Sequence, residues 1–113
     1  MEARTPTPVK EFPLTPQTAK KIIQDLAKNH SQRIRFGSHA RERMAERNVS
    51  NRQIFSVLRS DHSFFTENPH PTAGGSWKFN LQGFAAGVTL EVVVDLQRHD
   101  EDPSAYLVTV IVK

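Results

Sequence analysis

The sequence predicts an α+β fold, with N-terminal helices packed on one face of a four-stranded antiparallel β-sheet. Three observations predict it. The apolar spacing is helical up to about Asp61 and changes to a two-residue alternation after it. Thr15, Ser38 and Ser50 each stand as capping residues ahead of a helical pattern. The alternating segments follow one another through short, turn-rich connections, which favours an antiparallel meander. A chain of 113 residues is large enough for one real core and too short for two.

Residues 1–14 carry Pro6, Pro8 and Pro13 without apolar periodicity and read as a flexible arm, leaving 15–113 as the single domain. Thr15 followed by Pro16 starts a helix in which Ala19, Ile22, Ile23, Leu26 and Ala27 supply the buried face, ending near Asn29. Arg33, Ile34, Arg35 and Phe36 alternate like a small edge strand, stopped by Gly37. Ser38 is expected to cap a second helix reaching about Asn48, with His39 at its first helical position. Ser50 with Gln53 three positions later forms a capping-box pattern for a third, whose buried face is Ile54, Val57 and Leu58. The second and third helices are expected to form a compact hairpin.

Strands are expected at 63–67, 76–82, 88–96 and 105–112, separated by connections at 68–75, 83–87 and 98–103. Trp77, Phe79 and Leu81, with Leu90, Val92 and Val94, define the face that receives the helices. Lys78, Asn80, Thr89, Glu91 and Asp95 fall on the opposite face. The last strand is apolar on both faces except for Thr109, which strict alternation puts with Leu107 and Ile111, away from Tyr106, Val108 and Val110. Such a strand belongs in the middle of a sheet.

Composition narrows the chemistry. With no cysteine there is no disulfide, thiolate metal site or cysteine nucleophile. No apolar run is long enough for a signal peptide or a membrane span, so the expectation is a cytoplasmic protein. The net charge of +3 is unevenly spread: from Lys28 to Ser60 eight basic residues face two acidic ones, a local +6 that leaves −3 for the remainder. Seven of the eight are arginine, whose guanidinium suits bidentate phosphate contacts and base stacking. A polyanionic partner follows.

The segment HARERMAERNV, residues 39–49, concentrates this charge. His39, Arg43 and Arg47 recur every fourth residue, so on a helix they share an arc of about 80°. An ordinary solvated face, with Arg43 paired to Glu46, is the competing reading of the same pattern. Ribonuclease chemistry without a metal needs a base for the 2′-hydroxyl, a cation for the phosphate charge and an acid for the departing 5′-oxygen. His39 is a candidate base or acid, Arg43 and Arg47 are candidate charge stabilisers, and Lys78, Glu91 and Thr109 are candidates for the other half of a site. Arg33, Arg35, Arg41, Arg52 and Arg59 would extend an RNA-binding footprint. Asp61-His62 and His99-Asp100 lack paired ligand spacing, so no metal is expected. Neither a nucleotide cofactor nor a serine nucleophile finds a motif.

The histidine-led HARERMAER helix, the helix opened by Val49-Ser50 and the final LVTVI strand resemble a bacterial domain-of-unknown-function family of RelE- and BrnT-like proteins. That family is placed in the barnase, EndoU, colicin and RelE superfamily of metal-independent ribonucleases, many of them toxins. The resemblance covers about 38–112, with His39 and Arg43 matching the helix histidine and arginine and Thr109 the polar residue of the final strand. It implies a small endoribonuclease toxin of a toxin–antitoxin or phage-defence system. Such a toxin acts without a cofactor on RNA, ribosome-associated mRNA or tRNA among its substrates, and is held by a cognate antitoxin or inhibitor protein. The alternative is a phage- or plasmid-encoded protein that grips nucleic acid or a host nucleoprotein complex through the same basic helix; a purely protein-binding partner is a third reading. The proline-rich arm and first helix have no counterpart in the resemblance.

Overall fold

A computed structural model of the chain describes residues 13–113. Helix α1 (Pro16–Asn29) begins as its sequence dictates: the Thr15 hydroxyl accepts from the Thr18 amide and proline occupies the first turn. A single 3₁₀ turn, Ser31–Arg33, leads into strand β1 (Ile34–Phe36), and helices α2 (Ser38–Arg47) and α3 (Asn51–Arg59) follow. Strands β2 (Phe64–Pro71), β3 (Trp77–Ala85), β4 (Val88–Gln97) and β5 (Ser104–Val112) complete the chain. The arm expected over 1–14 lies outside the described residues apart from its last two, and of these Leu14 is buried in the core. Leu14 therefore packs with the residues of the domain.

The α+β class holds, but the sheet has five strands and is mixed, in the order β1-β5-β4-β3-β2. Strands β2 to β5 form the expected antiparallel meander, and β1 adds to the far edge of β5 in parallel, pairing Ile34 with Ala105 and Phe36 with Leu107. Strand β5 is thus interior over its first half, as its apolar faces require. Strand β2 runs on through Asn68 to Pro71, a stretch expected to be loop. Proline lacks an N–H for the ladder, but β2 is an edge strand, and its pairing skips from Glu67 to His70 across Pro69. Strand β3 likewise runs through Gly83 to Ala85, so the β3–β4 turn is only Ala86-Gly87, both at positive φ as a two-residue hairpin demands.

All three helices contribute to one core on the inner face of the sheet, where Ile23, Leu26, Ile54, Val57 and Leu58 meet Phe79, Leu81, Leu90, Val92, Val94 and Leu107. Fully burying one such side chain is worth roughly 1.5–3 kcal/mol. The expected α2–α3 hairpin does not form a packed pair. Helix α2 rests on β5 through Ala40 and Met44, whereas α3 rests on β3 and α1. Its turn is set by Asn48, which ends α2 in the left-handed conformation and lets the Val49 amide reach the Met44 carbonyl at 2.9 Å.

Candidate functional site

Helix α2 starts one residue earlier than its sequence suggests. Gly37, not Ser38, is the cap: its N–H donates to the Leu107 carbonyl at 3.0 Å as the chain leaves β1, and its own carbonyl accepts from the Arg41 amide at 3.0 Å. His39 is therefore the second helical residue, beside amides that the helix itself cannot satisfy. A Cβ on residue 37 would lie 2.7 Å from Cζ of Tyr106 and 3.0 Å from the Leu107 carbonyl oxygen, so the close approach of α2 to β5 requires glycine here.

The β4–β5 register slips by one residue, with Val93 opposite Thr109 and Val94 opposite Leu107, so that Val108 is an extra residue in a β-bulge. The bulge changes the phase of everything after it. Leu107 and Val110 both point into the core, while Thr109 joins Tyr106 and Ile111 on the outer side. Strict alternation had put Thr109 with Leu107, and the bulge overturns that assignment.

These two devices open a cleft of about 370 Å³ between α2 and the second half of β5. His39, Arg43 and Arg47 form one wall; Thr109, Val110, Ile111 and Val112 form the other. The four-residue spacing on α2 thus places three cationic or protonatable groups along one side, with Thr109 on the other. Arg43 makes the surface pair with Glu46 that its spacing allows, at 3.3 Å, and His39 Nδ1 lies 3.9 Å from Glu42. Both are half-exposed contacts of small energy. Arg47 has no ion pair among the described residues.

Several predicted residues lie elsewhere. Lys78 sits on β3, opposite Asp95 of β4 and His70 of β2, two strands away from the cleft, because Lys78 belongs to the middle of the meander and the cleft to its far edge. Glu91 stands opposite Ile111 and is buried on the outer face, where its carboxylate accepts from Lys113 Nζ at 2.7 Å and Asn80 Nδ2 at 2.6 Å. The Lys113 ammonium, helped by hydrogen bonds from Asn80 and Thr66, outweighs burial and holds this carboxyl below its ordinary value. Arg33 is paired with Asp102 at 2.7 Å, and Arg41 lies over the Phe36 ring, 5.6 Å from its centre. Arg35, Arg52 and Arg59 are exposed on β1 and α3.

The apolar wall of the cleft, Val110 to Val112, escaped the sequence reading, since three consecutive apolar residues in a strand look like core; only their place beyond the end of β1 reveals them. His99 is buried, with the Trp77 ring packed edge-on 6.2 Å away. Among the described residues no group of three or more His, Asp or Glu side chains is placed to hold a metal ion. Among the described residues no helix is long and apolar enough to cross a membrane. A family model described as a domain of unknown function, DUF4258, matches residues 36–112, the segment from the end of β1 to the end of β5. No curated protein and no solved structure matches the chain.

Proposed function

The chain belongs to the DUF4258 family, and from that premise we propose that it is a small endoribonuclease, of the toxin type, that works in the α2–β5 cleft without a metal. The observation that carries the reading is the convergence of His39, Arg43 and Arg47 with Thr109 around one cleft whose volume suits a nucleotide rather than a duplex. The reaction is transesterification: the 2′-oxygen forms a bond to phosphorus as the bond to the 5′-oxygen breaks, giving a 2′,3′-cyclic phosphate and a free 5′-hydroxyl. His39 takes the 2′-hydroxyl proton while water protonates the departing 5′-oxygen, or water takes the first proton and His39 supplies the second. Arg43 and Arg47 hold the charge that develops on the phosphate, and the Thr109 hydroxyl donates to the same oxygens. Lys78 has no part in it. Cytoplasmic RNA, including ribosome-associated mRNA or tRNA, is the substrate in this reading, and a cognate inhibitor protein the partner.

His39→Ala, checked for an unchanged melting temperature, is expected to lower RNA cleavage by about two to four orders of magnitude. The wild-type protein is expected to cleave in excess EDTA. Full activity in the folded His39→Ala protein removes the histidine from the mechanism, and loss of cleavage on chelation, restored by one divalent ion, removes the metal-independent chemistry. The exposed Arg35, Arg52 and Arg59, outside the cleft, favour a second reading as a nucleic-acid-binding protein. There Arg43→Ala and Arg47→Ala weaken binding while His39→Ala leaves it unchanged.

A further inference from the structure

A second cationic surface lies on the far side of α2. Arg41 and Arg43 are two residues apart on the helix, so their directions differ by about 160°, and Arg41 does not line the cleft. It lies instead over the Phe36 ring of β1, which itself meets the Phe55 ring of α3 edge-on at 6.0 Å. Both rings are only partly buried, and Arg41 is exposed. On α3, Arg52, Phe55 and Arg59 recur at intervals of three and four residues, within an arc of about 60°, and both arginines are exposed. The helix carries no acidic residue. Whereas Arg33 and Arg43 are paired with acids, Arg41, Arg52 and Arg59 make no ion pair among the described residues. Three elements thus bring unpaired guanidiniums around a half-exposed aromatic pair.

We propose that Phe36, Arg41, Arg52, Phe55 and Arg59 form a second contact surface for an unpaired, single-stranded stretch of RNA, with a base stacked against Arg41 and phosphates held by Arg52 and Arg59. The inference rests on RNA as the partner and not on cleavage in the cleft. Charge alone draws any polyanion; the stacked pair of Arg41 and Phe36 decides among them. The ring backs a guanidinium that remains exposed, and guanidinium planes and aromatic rings are the groups on which splayed bases stack. An acidic protein segment has carboxylates for the arginines but no planar group for this plate. In a duplex the bases are stacked on one another, so only the backbone reaches Arg52 and Arg59. Because the surface and the cleft lie on opposite sides of α2, contacts here set affinity and the choice of an unpaired strand, while the cleft acts on the phosphate.

The test measures, by fluorescence anisotropy, binding of the whole protein to short probes of 2′-O-methyl RNA, which lacks the hydroxyl that cleavage needs. The probes are a single strand, the same strand annealed to its complement, and an abasic strand with the same phosphates. The single strand is expected to bind about tenfold more tightly than either of the others. Arg41→Lys keeps the charge and loses the plane, and Phe55→Leu keeps an apolar side chain and loses the ring; each is expected to remove most of that preference at an unchanged melting temperature. Where Phe55→Leu lowers the melting temperature, the exposed Arg41→Lys decides. Arg52→Gln and Arg59→Gln should each flatten the salt dependence by about 0.7 log units per log unit and leave the preference in place. Equal or tighter binding of the abasic strand or the duplex, or an undiminished preference in Arg41→Lys, overturns the proposal. So does tighter binding of poly-glutamate of the same length, which makes the occupant an acidic protein. A preference for unpaired bases that Arg41→Lys removes, in a protein that cleaves no RNA, upholds this surface and removes the nuclease reading. RNA cleavage without that preference does the reverse.

Discussion

Glu91 shows how a single side chain is kept ionised on a largely covered sheet face. Desolvation opposes its charge, and the Lys113 ammonium with two neutral donors reverses the balance, taking the native carboxyl below its ordinary 4.5. Because the folded value is the lower one, the stabilisation is fully present above about pH 4.5 and is lost as pH falls through the native value. Lys113→Met is expected to cost on the order of 1 kcal/mol at neutral pH, as for a partly exposed pair. In urea titrations that difference should shrink as the pH is lowered through the carboxylate range. A difference constant across that range would mean that the lysine does not act through the charge of Glu91. Residue identity made His39, Arg43 and Arg47 readable as a set before any fold was known, because helical spacing is enough to align them. The partner wall was not readable in the same way: Thr109 was singled out for its polarity, but its orientation depends on Val108 standing out of register, which alternation cannot reveal.

Elements that carry their own stop and start signals were readable to the residue. Helix α3 has a complete capping box, with the Ser50 hydroxyl accepting from the Gln53 amide at 3.2 Å and the Gln53 side chain accepting from the Ser50 amide at 2.9 Å. Elements whose boundaries are set by tertiary contact were not: Ser38 looks the better cap on local chemistry, yet Gly37 takes the position because β5 lies too close for a side chain. Gly37→Ala is accordingly expected to destabilise the protein by about 1–3 kcal/mol. Denaturant melts of Gly37→Ala alone and combined with Tyr106→Ala divide the causes. The half-exposed Tyr106 ring can yield, so the second change should restore part of the loss, and the remainder belongs to the Leu107 carbonyl, which cannot move away. The β2 extension through Pro69 and Pro71 was missed for a related reason, since proline argues against a strand only until its edge position is known.

At the scale of the molecule, Arg35 on β1, Arg41, Arg43 and Arg47 on α2, and Arg52 and Arg59 on α3 are all exposed, and this concentration of positive charge is what a polyanion would meet first. If single-stranded RNA binds there, log affinity should fall by roughly 0.7 per log unit of salt for each phosphate neutralised. A flat titration between about 50 and 200 mM salt would assign the charge to some other purpose. Arg43→Ala should flatten the slope by close to one phosphate, while Arg33→Ala, already committed to Asp102, should alter it little.

The cleft joins residues 39–47 to residues 109–112, two segments about sixty positions apart whose approach closes the parallel β1–β5 pairing. Strands β2, β3 and β4 can assemble by local hairpins while synthesis continues, at about 5–20 residues per second; the α2 wall has nothing to rest on until β5 arrives. The site is therefore absent from the growing chain until β5 has been made. On the nuclease reading proposed above, a ribosome making this protein is in this way protected from its own unfinished product.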